Sequence, residues 1–344
     1  MLWPVSIRSA VEARTLATLM GLPVRAQRLV TGPALVLDGQ TLAPDLQVML
    51  TLQRLARKGD LAGESIARGR ASMRTNAAIV GGRQRIGSIR DLAVADLPAR
   101  LYEPSRRRPG AGLLLFFHGG GFLYGDLASH DAPCRLLAEE SGVRVLAVEY
   151  RVGPEAAFPA AFDDAEAALR WVHEHAAELD VDPERIGVAG DSAGANLAAY
   201  TAIVAARAGL PLAFQLLVYP CTDADRTTES LRLFGEGLYL TAESIASFND
   251  TYLPRPEDRV DERVNLLDVD LPAGLAPAHV VTAGFDPLRD EGEDYARRMA
   301  DAGVQVELKR YVDQIHGFLN VLGVGRTSRA AVREIAGKVR AALG

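Results

Sequence analysis

The chain has 344 residues, 48% of them hydrophobic and 24% charged, the composition of a globular protein with a large core in one or two domains. With 38 basic and 44 acidic side chains the formal net charge is −6, which sets nucleic acid aside as the main partner. Cys134 and Cys221 are the only cysteines, too few for a disulfide framework, and no C-x-x-C or His/Cys cluster signals a metal.

Charge is unevenly spread. Residues 1–110 carry a balance of +9 and the remainder −15. A basic N-terminal piece suits an anionic membrane surface, but no stretch pairs a strong basic face with Trp or Phe, so docking on its own acidic body is the better reading. Arg8, Glu12 and Arg14 interrupt the opening stretch, so no secretory leader is expected. Stretches free of charge, such as 192–206 and 208–222, fall short of the ~20 residues of a membrane span. The expectation is a soluble, cytoplasmic protein with reduced cysteines.

In chain order, residues 1–85 read as helices. Pro4, Pro23, Pro33 and Pro44 divide 1–44 into short helices and turns, whereas Leu46, Leu50, Leu52, Leu55 and Leu61 recur near helical spacing with Arg54, Arg57 and Lys58 between them. Ile89–Glu103 reads as two antiparallel strands with a turn at Asp96–Pro98. A loop from Pro104 to Gly112 then leads into the apolar run 113–117. Further runs follow at 143–148, 186–189, 214–219, 279–283 and 306–311, with helical stretches at 129–141, 162–178, 192–207, 288–302 and 327–342. Such alternation predicts an α/β protein whose mostly parallel sheet is flanked by helices on both faces. It breaks between about 221 and 270. The expected organisation is a helical segment 1–85 contributing to a cap, a main α/β domain 86–220 with 271–344, and a cap insert 221–270. Such a cap would cover the carboxyl edge of the sheet, where ligands bind in folds of this class.

The sharpest chemical signal is Gly190-Asp191-Ser192-Ala193-Gly194, placed between the run 186–189 and the helical stretch that follows. In that strand–turn–helix context G-x-S-x-G is a nucleophile elbow, with Gly190 and Gly194 needed where any side chain would strike neighbouring backbone. The rival reading makes Ser192 an ordinary helix N-cap. The second signal is His118-Gly119-Gly120-Gly121-Phe122, directly after the run 113–117. Successive glycines let backbone N–H groups face a substrate, and with the N–H of Ala193 they would form an oxyanion hole. No Rossmann G-x-G-x-x-G or phosphate-binding G-x-x-x-x-G-K-[ST] competes. His118 is best read as shaping the loop rather than as base or ligand.

The segments HGGGF, YRVGPEAAFPAA (Tyr150–Ala161), GDSAGANL (Gly190–Leu197), DPLRDEG (Asp286–Gly292) and HGF (His316–Phe318) closely resemble the bacterial hormone-sensitive-lipase family of carboxylesterases, over about 95–344. The resemblance implies an α/β-hydrolase fold, no cofactor, and a small-molecule ester as substrate. By matching positions it makes Ser192, Asp286 and His316 a catalytic triad and Gly120 and Gly121 the loop donors. Both Asp286 and His316 fall just past strand ends, in the chain order expected of the fold. Asp290 and Glu291 fall inside the following helix; His173 and His175 read as solvent-facing, and neither His279 nor His130 follows a strand end. Ala195 and Val152-Gly153 depart from the family's commoner residues without removing a catalytic group. A homodimer is an expectation by analogy only.

Ester hydrolysis of short or medium acyl chains is the leading function. Amidase, deacetylase, lactonase or lipase chemistry could run on the same triad, because ester and amide share a tetrahedral intermediate. A ligand-binding role without catalysis is known for plant gibberellin receptors of similar sequence, which lack the histidine that His316 supplies here. No S-x-x-K exists for a penicillin-binding-protein-like mechanism.

Overall fold

The computed structural model describes residues 7–56, 65–106, 110, 112–225 and 227–344. Leu61, Arg57, Lys58 and Pro4, and parts of the loop 104–112, lie outside the described residues.

Among the described residues the N-terminal segment holds four helices, α1 (Ile7–Met20), α2 (Val24–Thr31), α3 (Pro44–Leu55) and α4 (Ile66–Gly81). It also contains a two-residue hairpin, β1 (Val36–Leu37) with β2 (Gln40–Thr41), where only helices and turns were expected. The cause is local: Asp38 and Gly39 take φ 50° and 68°, the left-handed pair that a tight hairpin turn requires. In α3 Leu46 and Leu50 are buried, but Leu55, expected on the same stripe, is 73% exposed.

β3 (Ser88–Val94) and β4 (Leu97–Glu103) form the antiparallel pair, joined at Ala95 and Asp96 rather than at 96–98. Both turn residues have positive φ, so the bend needs only two positions and Pro98 already belongs to the strand. The doubly covered sheet then runs through β5 (Leu113–Phe117), α5 (Asp131–Ser141), β6 (Arg144–Val148), α6 (Ala160–Glu174), β7 (Ile186–Asp191), α7 (Ala193–Ala208) and β8 (Phe214–Val218). Three short helices follow, α8 (Glu229–Phe234), α9 (Ala242–Tyr252) and α10 (Pro256–Arg259). β9 (Ala278–Phe285), α11 (Arg289–Asp301), β10 (Val306–Ile315) and α12 (Thr327–Leu343) close the chain.

Strand order is β10-β9-β8-β7-β5-β6-β4-β3, parallel from β6 to β10 and antiparallel at β3 and β4. Every residue of β5, β6, β7, β8 and β9 is buried, which is why these strands read as apolar runs rather than alternating ones. Two apolar clusters line the faces of the sheet. A third joins Met20, Leu46 and Leu50 to Phe234 and Leu238 and to Phe285 and Ile315, the last residues of β9 and β10. Burying a side chain of this size contributes about 1.5–3 kcal/mol, so the N-terminal segment is fastened where the loops after β9 and β10 begin. Among the described residues no helix is long and apolar enough to cross a membrane.

Candidate active site

Ser192 lies between β7 and α7 with φ 55° and ψ −122°, a conformation that L-residues rarely adopt and that costs about 1–3 kcal/mol. Sterics fix the flanking glycines. A β-carbon on Gly190 would stand 2.1 Å from the Gly194 carbonyl oxygen, and one on Gly194 would stand 2.1 Å from that of Phe117. Although Ser192 occupies the N-cap position of α7, its hydroxyl caps no helix N–H. Its backbone N–H instead donates to Val218 O at 2.9 Å, and its side chain is left for another partner.

That partner is His316. It stands directly after β10, and its Nε2 lies 3.0 Å from Ser192 Oγ. Nδ1 lies 2.8 Å from Asp286 Oδ2, directly after β9. Asp286 is fully buried and His316 is 6% exposed, so the pair is shielded from water. The second Asp286 oxygen accepts the Leu288 N–H at 2.9 Å, and the Tyr219 ring lies 4.5 Å from the imidazole. With Nδ1–H donating to a carboxylate, Nε2 is the acceptor and faces the serine O–H.

The glycine loop after β5 folds back tightly. Gly120 and Gly121 have φ 130° and 60°, and a β-carbon on Gly120 would fall 2.3 Å from Tyr124 O. Among the described residues no hydrogen bond engages the N–H groups of Gly120, Gly121 or Ala193. Gly119 is different: its N–H donates to Asp191 Oδ1 at 2.9 Å, and a β-carbon there would strike Asp191. Burial pushes Asp191 upward, yet the His130 ring and the Gly119 N–H outweigh it and hold the carboxyl below its ordinary range. His118 stacks on Tyr150 at 4.2 Å behind the loop, and its carbonyl accepts the Tyr150 hydroxyl at 2.7 Å. Burial, helped by the neighbouring His130, lowers its pKa to about 4, so the ring is neutral near pH 7.

The other candidates stand apart. Asp290 accepts from Ser230 N–H and Arg289, and Glu291 accepts the Thr222 N–H at 2.7 Å. His173 and His175 are half-buried rather than solvent-facing, because His175 stacks on Trp171 at 4.2 Å. His279 is buried in β9. Several neighbours of the site carry no sequence signal. His130 lies 3.2 Å from Asp191, Phe248 covers Gly121, and Tyr239 covers Gly317; a β-carbon on either glycine would meet those rings at 2.3 and 2.9 Å. Phe248 and Tyr239 come from the stretch where strand–helix alternation fails, and only the fold brings them to the glycines.

A family model described as the α/β-hydrolase fold matches residues 114–320. The carboxylic ester hydrolase LipN of Mycobacterium tuberculosis is 39% identical, with 99% of this chain and 94% of that protein covered. An ethyl acetate hydrolase of Pseudomonas putida is 36% identical over 82% of this chain and 93% of its own length. Among solved structures, an esterase of the archaeon Pyrobaculum calidifontis superimposes with a TM-score of 0.82 at 36% identity, covering 87% of this chain and 98% of that one. The elbow, the glycine loop and these likenesses agree: the chain belongs to the α/β-hydrolase family, as a carboxylesterase of its hormone-sensitive-lipase-like branch.

Proposed function

We propose that the protein cleaves carboxylic esters of short to medium acyl chain through an acyl-enzyme intermediate, with Ser192 as nucleophile, His316 as general base and acid, and Asp286 as its orienting partner. The observation that carries this reading is the unbroken contact Asp286–His316–Ser192, at 2.8 and 3.0 Å. Nε2 takes the serine proton as Oγ adds to the ester carbonyl carbon. The carbonyl oxygen becomes an oxyanion facing the N–H groups of Gly120, Gly121 and Ala193, each such donor being worth ~10²–10³ in turnover. The C–O bond then breaks, and the imidazolium returns its proton to the departing alcohol. Water repeats the sequence on the acyl-serine, releasing the acid and restoring Ser192.

In the same reading, segments 1–85 and 221–270 form a helical cap over the catalytic domain, and Phe248 and Tyr239 of the second segment bound the space above Gly121 and Gly317. That crowding supports a preference for small acyl groups, as does the likeness to an ethyl acetate hydrolase. Ser192→Ala is expected to lower p-nitrophenyl butyrate hydrolysis by at least about 10³-fold with an unchanged fold by circular dichroism. Turnover across a p-nitrophenyl series is expected to peak at acetate to hexanoate. A Ser192→Ala variant keeping about a tenth of wild-type turnover would end the assignment, and a maximum at palmitate would end the chain-length reading.

A further inference from the structure

We propose that helix α4 braces the oxyanion loop through Arg70 and Arg74, which makes both arginines positioning residues for ester hydrolysis. The inference rests on the catalytic reading above and assigns a role to the N-terminal segment within it.

Arg70 and Arg74 are four residues apart and so share one face of α4. Just before Arg70, Gly69 lies so close to the loop that a β-carbon would stand 2.6 Å from the Tyr124 ring. Arg70 Nε donates to Leu123 O at 2.8 Å and Nη2 to Gly153 O at 2.6 Å, while Glu155 holds the same guanidinium at 2.7 Å. Arg74 Nε bonds the Asp126 carboxylate at the far end of the loop. The two side chains thus seize the loop at residues 123 and 126, on the side away from Gly119.

From Asp126 a buried polar chain leads back to the near end. The Ser129 N–H donates to Asp126 Oδ1 at 2.7 Å, and the Asp126 N–H donates to Ser129 Oγ at 2.9 Å. Ser129 Oγ lies 3.0 Å from His130 Nδ1, and His130 Nε2 stands 3.2 Å from Asp191 Oδ1, a close but oblique approach that falls short of an aligned hydrogen bond. Asp191 then fixes the Gly119 N–H. All four links are at most 6% exposed, where hydrogen bonds are screened little by water. Burial raises the Asp126 carboxyl, and the Ser129 N–H and Arg74 together outweigh it, so it stays ionised as an anchor.

The loop needs such bracing. Gly120 and Gly121 can aim their N–H groups at an oxyanion because glycine visits these conformations freely, and for the same reason they do not hold the aim unaided. Preorganised donors stabilise the transition state; donors that must first be ordered do so less.

The test uses the full chain with p-nitrophenyl butyrate and a trifluoromethyl ketone, to whose carbonyl Ser192 adds, leaving an oxyanion in the loop. Arg70→Met and Arg74→Met are each expected to lower kcat about tenfold, and the double variant about a hundredfold, with KM within about twofold. Ketone affinity is expected to fall by the same factors, and Arg70→Lys and Arg74→Lys to recover part of both. Arg68→Met, exposed on the same helix, should leave both values unchanged. A folded double variant with kcat within about threefold of wild type, or one losing only KM, overturns the inference. Should that variant be unstable, Ser129→Ala leaves both arginines in place and must still lower kcat and ketone affinity together; wild-type values would overturn the buried chain. Residual turnover in Ser192→Ala would instead remove the catalytic reading, and this inference with it.

Discussion

Gly121 meets two separate constraints: its φ of 60° favours glycine, and the Phe248 ring occupies the place of a β-carbon. Gly121→Ala is therefore expected to lower kcat on p-nitrophenyl butyrate by about 10²-fold, the loss that follows from its proposed role as an oxyanion donor. Adding Phe248→Ala removes the clash but not the backbone strain, which is worth about 1–2 kcal/mol, so the double variant should recover part of the loss. Independent, multiplicative effects would show that the ring does not set the loop. At this scale the sequence was most legible where chemistry forces a local pattern. Gly190, Ser192 and Gly194 announce themselves because a sharp bend admits no other residues at the flanks. His130 and Phe248 do not, since nothing within a few residues of either records that Asp191 or Gly121 will be its neighbour.

Among the elements, α4 shows how tertiary contact overrides helix propensity. Alanine in place of Gly69 would stabilise an isolated helix by about 1 kcal/mol. Here its β-carbon would meet the Tyr124 ring at 2.6 Å, so Gly69→Ala is expected to lower kcat severalfold despite that gain. A variant that gained thermal stability and kept full kcat would refute the close approach as a functional contact. The central strands were readable because all their residues are buried, whereas β10 is an edge strand with three exposed residues in succession and no simple alternation. Its apolar signal fades near Tyr311, although the strand continues through an irregular register to Ile315 and so delivers His316. The hairpin at 36–41 rests on an Asp-Gly pair flanked by strands of two residues each, too short for any periodicity to register.

For the whole molecule, Glu291 ties stability to pH. It is 4% exposed on α11, and its carboxylate accepts the N–H of Thr222. Burial above all, opposed by that N–H and reinforced by the carboxylates of Asp223 and Asp286, pushes its pKa up from 4.5 to about 8. The folded chain therefore keeps a proton that the unfolded chain gives up above 4.5. The associated stability is complete below 4.5 and is lost as pH climbs through about 8. Glu291→Gln, which can still accept from Thr222, is expected to flatten this decline. Urea midpoints of wild type should fall more than those of the variant between about pH 5.5 and 8.5, by the equivalent of a few kcal/mol. Parallel declines would mean that Glu291 ionises as it does in water.

The N-terminal segment is also sewn to loops made much later. Gln40 donates to Gly284 O at 3.2 Å, Asp38 holds Arg289 at 2.7 Å, and the Ala43 N–H donates to Asp313 O at 2.9 Å. Asp45 accepts the N–H groups of Arg326 and Thr327, the start of α12, at 2.9 and 3.2 Å across 281 and 282 positions of chain. The docking contacts of the 38–45 segment are thus completed only by residues more than 240 positions further along the chain. Hydrolytic competence should consequently arrive late and all at once during biosynthesis, and a nascent chain stalled before residue 326 should leave Asp45 of α3 without its partners at the start of α12.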